Sequence, residues 1–219
     1  LGVLLGTLAA TRVGKWTDSV ITVVALVFYA TPLFWVGLMA ILLFSVTLGW
    51  LPAFGMTSVG ARYTGLAHVL DIAHHLILPA FTLGLFYMAV YARLTRSSML
   101  EVADMDFVRT ARAKGLPRRA VFGRHVLANV LPPLVVLFAL SLPGLVAGSI
   151  FVESVFAWPG LGRATLTAIL ARDYPVVMGA TVLYALAVIV ANLGRRRCHT
   201  AFATEPSWSM RWIEKPRRS

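Results

Sequence analysis

Charge is what this 219-residue chain has least of: Asp, Glu, Lys and Arg together make up 13% of it. Its single cysteine, Cys198, rules out an internal disulfide framework and a metal site built on thiolates. No G-x-x-x-x-G-K-[ST] phosphate loop occurs, so nucleotide hydrolysis by that route is excluded and any transport the chain performs must be powered by a partner. The apolar stretches hold almost no ionisable residue, whereas an ion-coupled carrier or proton pump keeps such groups at membrane depth. Nor do they hold the paired aspartates, or the nucleophile and base, of an intramembrane hydrolase. His68, His74 and His75 lie close together, but only Asp71 is near to complete a ligand set, so no metal, cofactor or catalytic residue is assigned.

What is present is hydrocarbon. Hydrophobic residues make up 58% of the chain, and the mean hydropathy is +0.78, far from a soluble domain and typical of an integral membrane protein. About 20 apolar residues in a helix cross the hydrocarbon core, and the absence of period-two alternation excludes a β-barrel. Four full spans are predicted, at residues 19–48, 76–92, 129–152 and 176–193. Residues 1–11 are apolar but too few to cross, and are expected to be part of a helix whose beginning, with at least one earlier helix, is missing. The expected fold is an all-α, polytopic transmembrane helical bundle of four full spans and one partial span. Residues 1–194 form the membrane domain and 195–219 a basic, disordered tail.

Loops rich in Lys and Arg stay on the cytoplasmic side. Alternating the loops places Arg12, Lys15, the cations of residues 93–124 and those of 195–218 on one side. Only Arg62, Arg163 and Arg172 of the 20 Lys and Arg remain for the other. The net charge of +11 is therefore a topology signal, and a nucleic-acid partner is not needed to explain it.

The longest polar segment, the inner loop 93–128, carries Arg93, Arg96, Glu101, Asp104, Asp106, Arg109, Arg112 and Lys114 on a helix-compatible surface. Gly115, Leu116 and Pro117 supply a helix stop and turn. From charge alone it is either a docking surface or a solvated loop that fixes topology. On the opposite side, Trp158, Pro159, Gly160 and Gly162 signal a turn at the outer mouth, re-entrant or surface-lying, with Trp158 at the interface. Gly144 and Gly148 form a G-x-x-x-G that permits close helix contact, within the chain or with a partner subunit. Pro32, Pro79, Pro132, Pro133 and Pro143 are expected to kink the spans. Glu153 is expected at the outer end of its span, as an interfacial residue.

Arg109-Thr110-Ala111-Arg112-Ala113-Lys114-Gly115-Leu116 resembles the coupling loop of ABC-importer permeases, specifically the B-type permease of the dipeptide/oligopeptide group. The general pattern there is E-A-A, three residues, then G, and the peptide group's R-T-A stands in for E-A-A here. Three further blocks carry the same resemblance: residues 93–102; His125, Leu127, Asn129, Leu131 and Pro132; and 156–163 followed by 172–177.

The resemblance implies a type I importer permease fold of about five or six helices in a bacterial or archaeal plasma membrane. The implied partners are a second related permease, two ABC ATPase subunits, an external solute-binding protein, lipid and a peptide substrate. ATP and Mg would be bound by the ATPases, so the chain itself is not an enzyme. By the same resemblance Asp106, Arg109, Thr110, Ala111, Arg112, Ala113, Lys114, Gly115, Leu116, Pro117 and Arg118 form the ATPase-coupling element, Ala111 and Ala113 allowing close approach. Relatives of this type carry peptides, nickel, glutathione or haem. After Asn192 the chain departs from the pattern into its basic tail, as a frame change would produce. That departure leaves a non-transporting membrane scaffold or decayed permease as the alternative.

Overall fold

Residues 1–60, 63–117, 120–146 and 150–202 are described by the computed structural model. They form helices α1 (Gly2–Thr11), α2 (Trp16–Ala30), α3 (Leu33–Ala40), α4 (Leu66–Ala103), α5 (Asp106–Ala113), α6 (Ala128–Val146), α7 (Ile150–Val155), α8 (Leu161–Leu170) and α9 (Tyr174–Phe202). Two π-helical stretches extend this set, Ile41–Thr47 after α3 and Val121–Leu127 before α6. No strand occurs among the described residues.

Among the described residues three helical runs are long and apolar enough to cross a membrane: Leu66–Ala103, Val121–Leu142 and Tyr174–Gly194. A fourth exists only if a bent pair counts as one span. The stretch 19–48, expected as a single span, breaks at Thr31 and Pro32, and the segments Trp16–Ala30 and Leu33–Thr47 meet at 103°. Proline lacks the N–H that would continue the helix, and it drives the preceding residue out of the α region. Thr31 accordingly sits at φ −78°, ψ 132°. Its N–H and its hydroxyl both donate to the Val27 carbonyl, at 2.9 and 2.7 Å.

Other boundaries also move. α4 runs 38 residues, well beyond the expected 76–92, and takes in Arg93, Arg96 and Glu101 of the expected loop. Val121–Leu127 is helical and continuous with α6, so the polar connection shrinks to residues 104–120. Of the expected span 129–152, residues 129–146 and 150–152 are helical, and 147–149 lie outside the described residues. α9 continues to Phe202, past the expected domain edge at 194, while 203–219 lie outside the described residues.

α1 lies directly on α4. A Cβ on Gly2 would sit 2.6 Å from the Met88 carbonyl oxygen and 2.8 Å from Tyr91 Cβ. One on Gly6 would overlap the Ala92 carbonyl. This G-x-x-x-G brings two backbones together as small-residue interfaces do in membranes. At one end of the bundle Ala10, Met99, Val102, Val108, Ala111, Val121, Val126, Val130 and Leu134 form a buried cluster. At the other, Ala40, Ile41, Leu78, Val152 and Phe156 form a second. The first lies at the end carrying Arg12, Lys15 and Arg96, the basic end.

Candidate functional site

At the basic end α5 is amphipathic. Val108 is fully buried and Ala111 is 6% exposed, both in the cluster with Met99, Val102, Val121 and Val126. Asp106, Arg109, Thr110, Arg112, Ala113 and Lys114 are exposed. The helix is thus seated on its own bundle by two small apolar residues and turns a mainly cationic face outward. Arg109 Nη1 lies 3.8 Å from Asp106 Oδ1, but both side chains are open to solvent, so the pair contributes little. This revises one expectation: Ala111 approaches the chain's own core, and Ala113 is the alanine left on the open side.

The helix stops through a glycine-dependent cap. Gly115 has φ +78°, its N–H donates to the Arg112 carbonyl at 3.0 Å, and Leu116 N–H donates to the Ala111 carbonyl at 3.4 Å. These two bonds form a Schellman motif, which needs the left-handed backbone that glycine adopts without a Cβ penalty. Gly115, Leu116 and Pro117 are exposed after it; Arg118 lies outside the described residues.

At the far end, the turn between α7 and α8 is built around Glu153. Its side chain is 8% exposed, and its Oε2 accepts the Arg163 N–H at 2.7 Å, a free donor in the first turn of α8. A Cβ on Gly160 would overlap this carboxylate, and one on Gly162 would lie 3.2 Å from Oε2. Gly160 is therefore small because Glu153 occupies the space beside it, and Gly162 because Ile150 and Glu153 both crowd it. Trp158 is half-buried and Pro159 exposed, and Trp158 N–H donates to the Glu153 carbonyl at 2.9 Å. Glu153 is thus a buried helix-capping acceptor. Sequence spacing held no signal for it, since the capping side chain precedes α8 by a full turn and a helix.

Asp71 anchors the segment before α4, accepting Ser58 N–H at 2.8 Å and Ser58 Oγ at 2.7 Å. His75 Nδ1 is 2.9 Å from the Asp71 carbonyl oxygen, and His74 Nε2 is 3.2 Å from the Trp50 carbonyl oxygen. Asp71 and His74 thus tie the preceding segment to α4, while the His75 contact lies within the helix. Among the described residues no group of three or more His, Cys, Asp or Glu could hold a metal ion.

Gly144 is exposed, and a Cβ there would meet only Tyr87 Oη, at 3.9 Å; Gly148 lies outside the described residues. Within the chain the close approach expected of this pair is made by Gly2 and Gly6, which carry the same spacing.

Residues 2–204 match the family described as binding-protein-dependent transport system inner membrane component. The oligopeptide transport system permease protein AppB of Bacillus subtilis (strain 168) is 42% identical over 193 residues, 88% of this chain and 60% of that protein. The di/tripeptide transport system permease protein DppB of Pseudomonas aeruginosa (strain UCBPP-PA14) is 44% identical over 206 residues, 87% of this chain and 61% of that protein. The dipeptide transport system permease protein DppB of Escherichia coli (strain K12) is 40% identical, covering 88% and 62%. The chain thus spans about three fifths of the length of these relatives. Among solved structures, a chain of the inward-facing MetNI methionine ABC transporter superposes with a TM-score of 0.66 at 19% identity, covering 92% of this chain and 86% of that one, which shows a shared fold. With an all-α bundle, membrane-length helices and a family match over nearly all the described residues, the chain belongs to the binding-protein-dependent transport system inner membrane components.

Proposed function

We propose that the chain is a permease subunit of an ATP-driven importer of peptides, forming part of the translocation pathway and coupling to separate ATPase subunits through α5. The observation that carries this is the division of α5. Val108 and Ala111 fasten it to the bundle, while Arg109, Thr110, Arg112 and Lys114 face outward beside a rigid Gly115 cap. A helix fixed on one side and open on the other passes a push on its open face to α4 and α6 through the shared cluster. The similarity to permease proteins of oligopeptide and dipeptide transport systems supports the peptide class.

In this reading the basic end is cytoplasmic, in the plasma membrane of a bacterium or archaeon, and ATP and Mg are bound by the two ATPases. A second related permease completes the pathway and an external solute-binding protein delivers the solute. The test is site-directed crosslinking in an assembled importer in which Cys198 is replaced by Ser. Lys114→Cys and Arg112→Cys should capture an ATPase subunit, and failure of both in a complex that takes up peptide would remove α5 from the coupling role.

A further inference from the structure

Helices α2 and α4 run antiparallel. Asp18, at the start of α2, pairs with Arg96 near the end of α4. Tyr29, near the end of α2, stacks on Phe86 further back in α4, with ring centroids 6.5 Å apart. Arg93 lies between these two levels, and its Cζ is 4.2 Å from the centroid of the Tyr29 ring. Helical side chains lean toward their own N-terminus. The Arg93 side chain accordingly reaches along α4 to the level of Tyr29.

Among the described residues no carboxylate pairs with this guanidinium. Asp18, the one acid of α2, is taken by Arg96; α6 carries none, and Asp71 and Glu101 of α4 lie turns away. With Cζ over the Tyr29 ring and no protein acceptor for the guanidinium N–H groups among the described residues, these donors are free for a planar or tetrahedral oxyanion. Beside it opens a cavity of about 250 Å³ lined by Tyr29, Val90, Arg93, Leu94, Ser97 and Leu137. That is room for a terminal group, not for a whole peptide. The Arg93 side chain is exposed on the surface of the chain, and on a membrane-spanning helix such a cation is costly unless it faces water or an anion.

We propose that Arg93, held by Tyr29, binds a single oxyanion in this cavity, either the carboxylate of a transported solute or the phosphate of an acidic lipid. The solute source rests on the importer reading above; the lipid source does not.

The full chain in nanodiscs of phosphatidylcholine, labelled with nitrogen-15 arginine, tests this. The Arg93 Nε–H resonance is identified by its disappearance in Arg93→Lys, which keeps the charge. Alanyl-alanine, its C-terminal amide, and phosphatidylglycerol added to the bilayer are the three probes. A shift with the free dipeptide and not with the amide assigns the solute carboxylate, and a shift on adding phosphatidylglycerol assigns the lipid. Either response should weaken in Tyr29→Leu. A resonance unmoved by the free dipeptide and by phosphatidylglycerol, or one that moves equally with dipeptide and amide and is indifferent to the lipid, overturns the site. Absence of peptide uptake by the reconstituted wild-type importer would count against the importer reading alone, because the binding measurement needs no transport.

Discussion

Arg96 clasps Asp18 through two donors, Nε to Oδ1 at 2.6 Å and Nη2 to Oδ2 at 2.9 Å, joining residues 78 positions apart in sequence. Asp18 also accepts the Gly14 N–H at 3.2 Å and the Thr22 hydroxyl at 3.3 Å. The start of α2, the preceding turn and the basic end of α4 therefore meet at one carboxylate. The side chains are 7% exposed for Asp18 and 28% for Arg96, so the pair is partly sheltered from solvent screening.

Removing one partner leaves the other charge without compensation. Arg96→Gln or Asp18→Asn should each cost about 2 kcal/mol, read from thermal unfolding in detergent. The double variant should lose less than the sum of the singles. Additive losses would mean that the two side chains do not act as a pair.

Gly6→Val places a branched side chain where the Ala92 carbonyl and Thr95 Cβ already stand. Overpacking of this kind costs about 2 kcal/mol, so α1 should lift from α4 and disulfide crosslinking between cysteines introduced on the two helices should fall. Gly144→Ala, at an open position, should leave the same measurements unchanged.

Gly160→Ala should destabilise the α7–α8 turn in the wild-type background, because the new methyl meets the Glu153 carboxylate. Glu153→Ala on its own removes the acceptor for Arg163 N–H, a loss of about 1 kcal/mol, visible as faster hydrogen exchange at that amide. In the Glu153→Ala background Gly160→Ala should become tolerated. An equal penalty in both backgrounds would mean that the glycine is there for another reason.

Cysteine placed on α5 should report its two sides. In a Cys198→Ser background, Lys114→Cys and Arg112→Cys should react readily with a membrane-impermeant maleimide, whereas Ala111→Cys, in a position 6% exposed, should react far more slowly. Equal rates at all three would mean that α5 is not seated on the bundle.

Gly115→Val forces a β-branched residue to φ +78°, at a cost of about 1–2 kcal/mol. The end of α5 should then take another path. Peptide uptake by the reconstituted importer should drop while ATP binding by the ATPase subunits persists, and undiminished uptake would exclude the cap from coupling.

Fold class and the position of the amphipathic segment were legible from the residues alone, because these depend on composition and on the length of apolar runs. Those quantities are local, and bilayer thickness sets their scale. The helix stop at Gly115 was equally legible, since left-handed backbone selects glycine wherever it occurs. Packing in three dimensions settles which side of α5 is buried, that residues 19–48 turn sharply at Pro32, and that Glu153 caps a helix it does not belong to. It also sets Gly2 and Gly6 against the backbone of α4. The reason is the same in each case: contact between helices far apart in sequence is settled by which surfaces meet. In a chain whose spans are apolar all round, hydrophobic periodicity cannot single out the buried face.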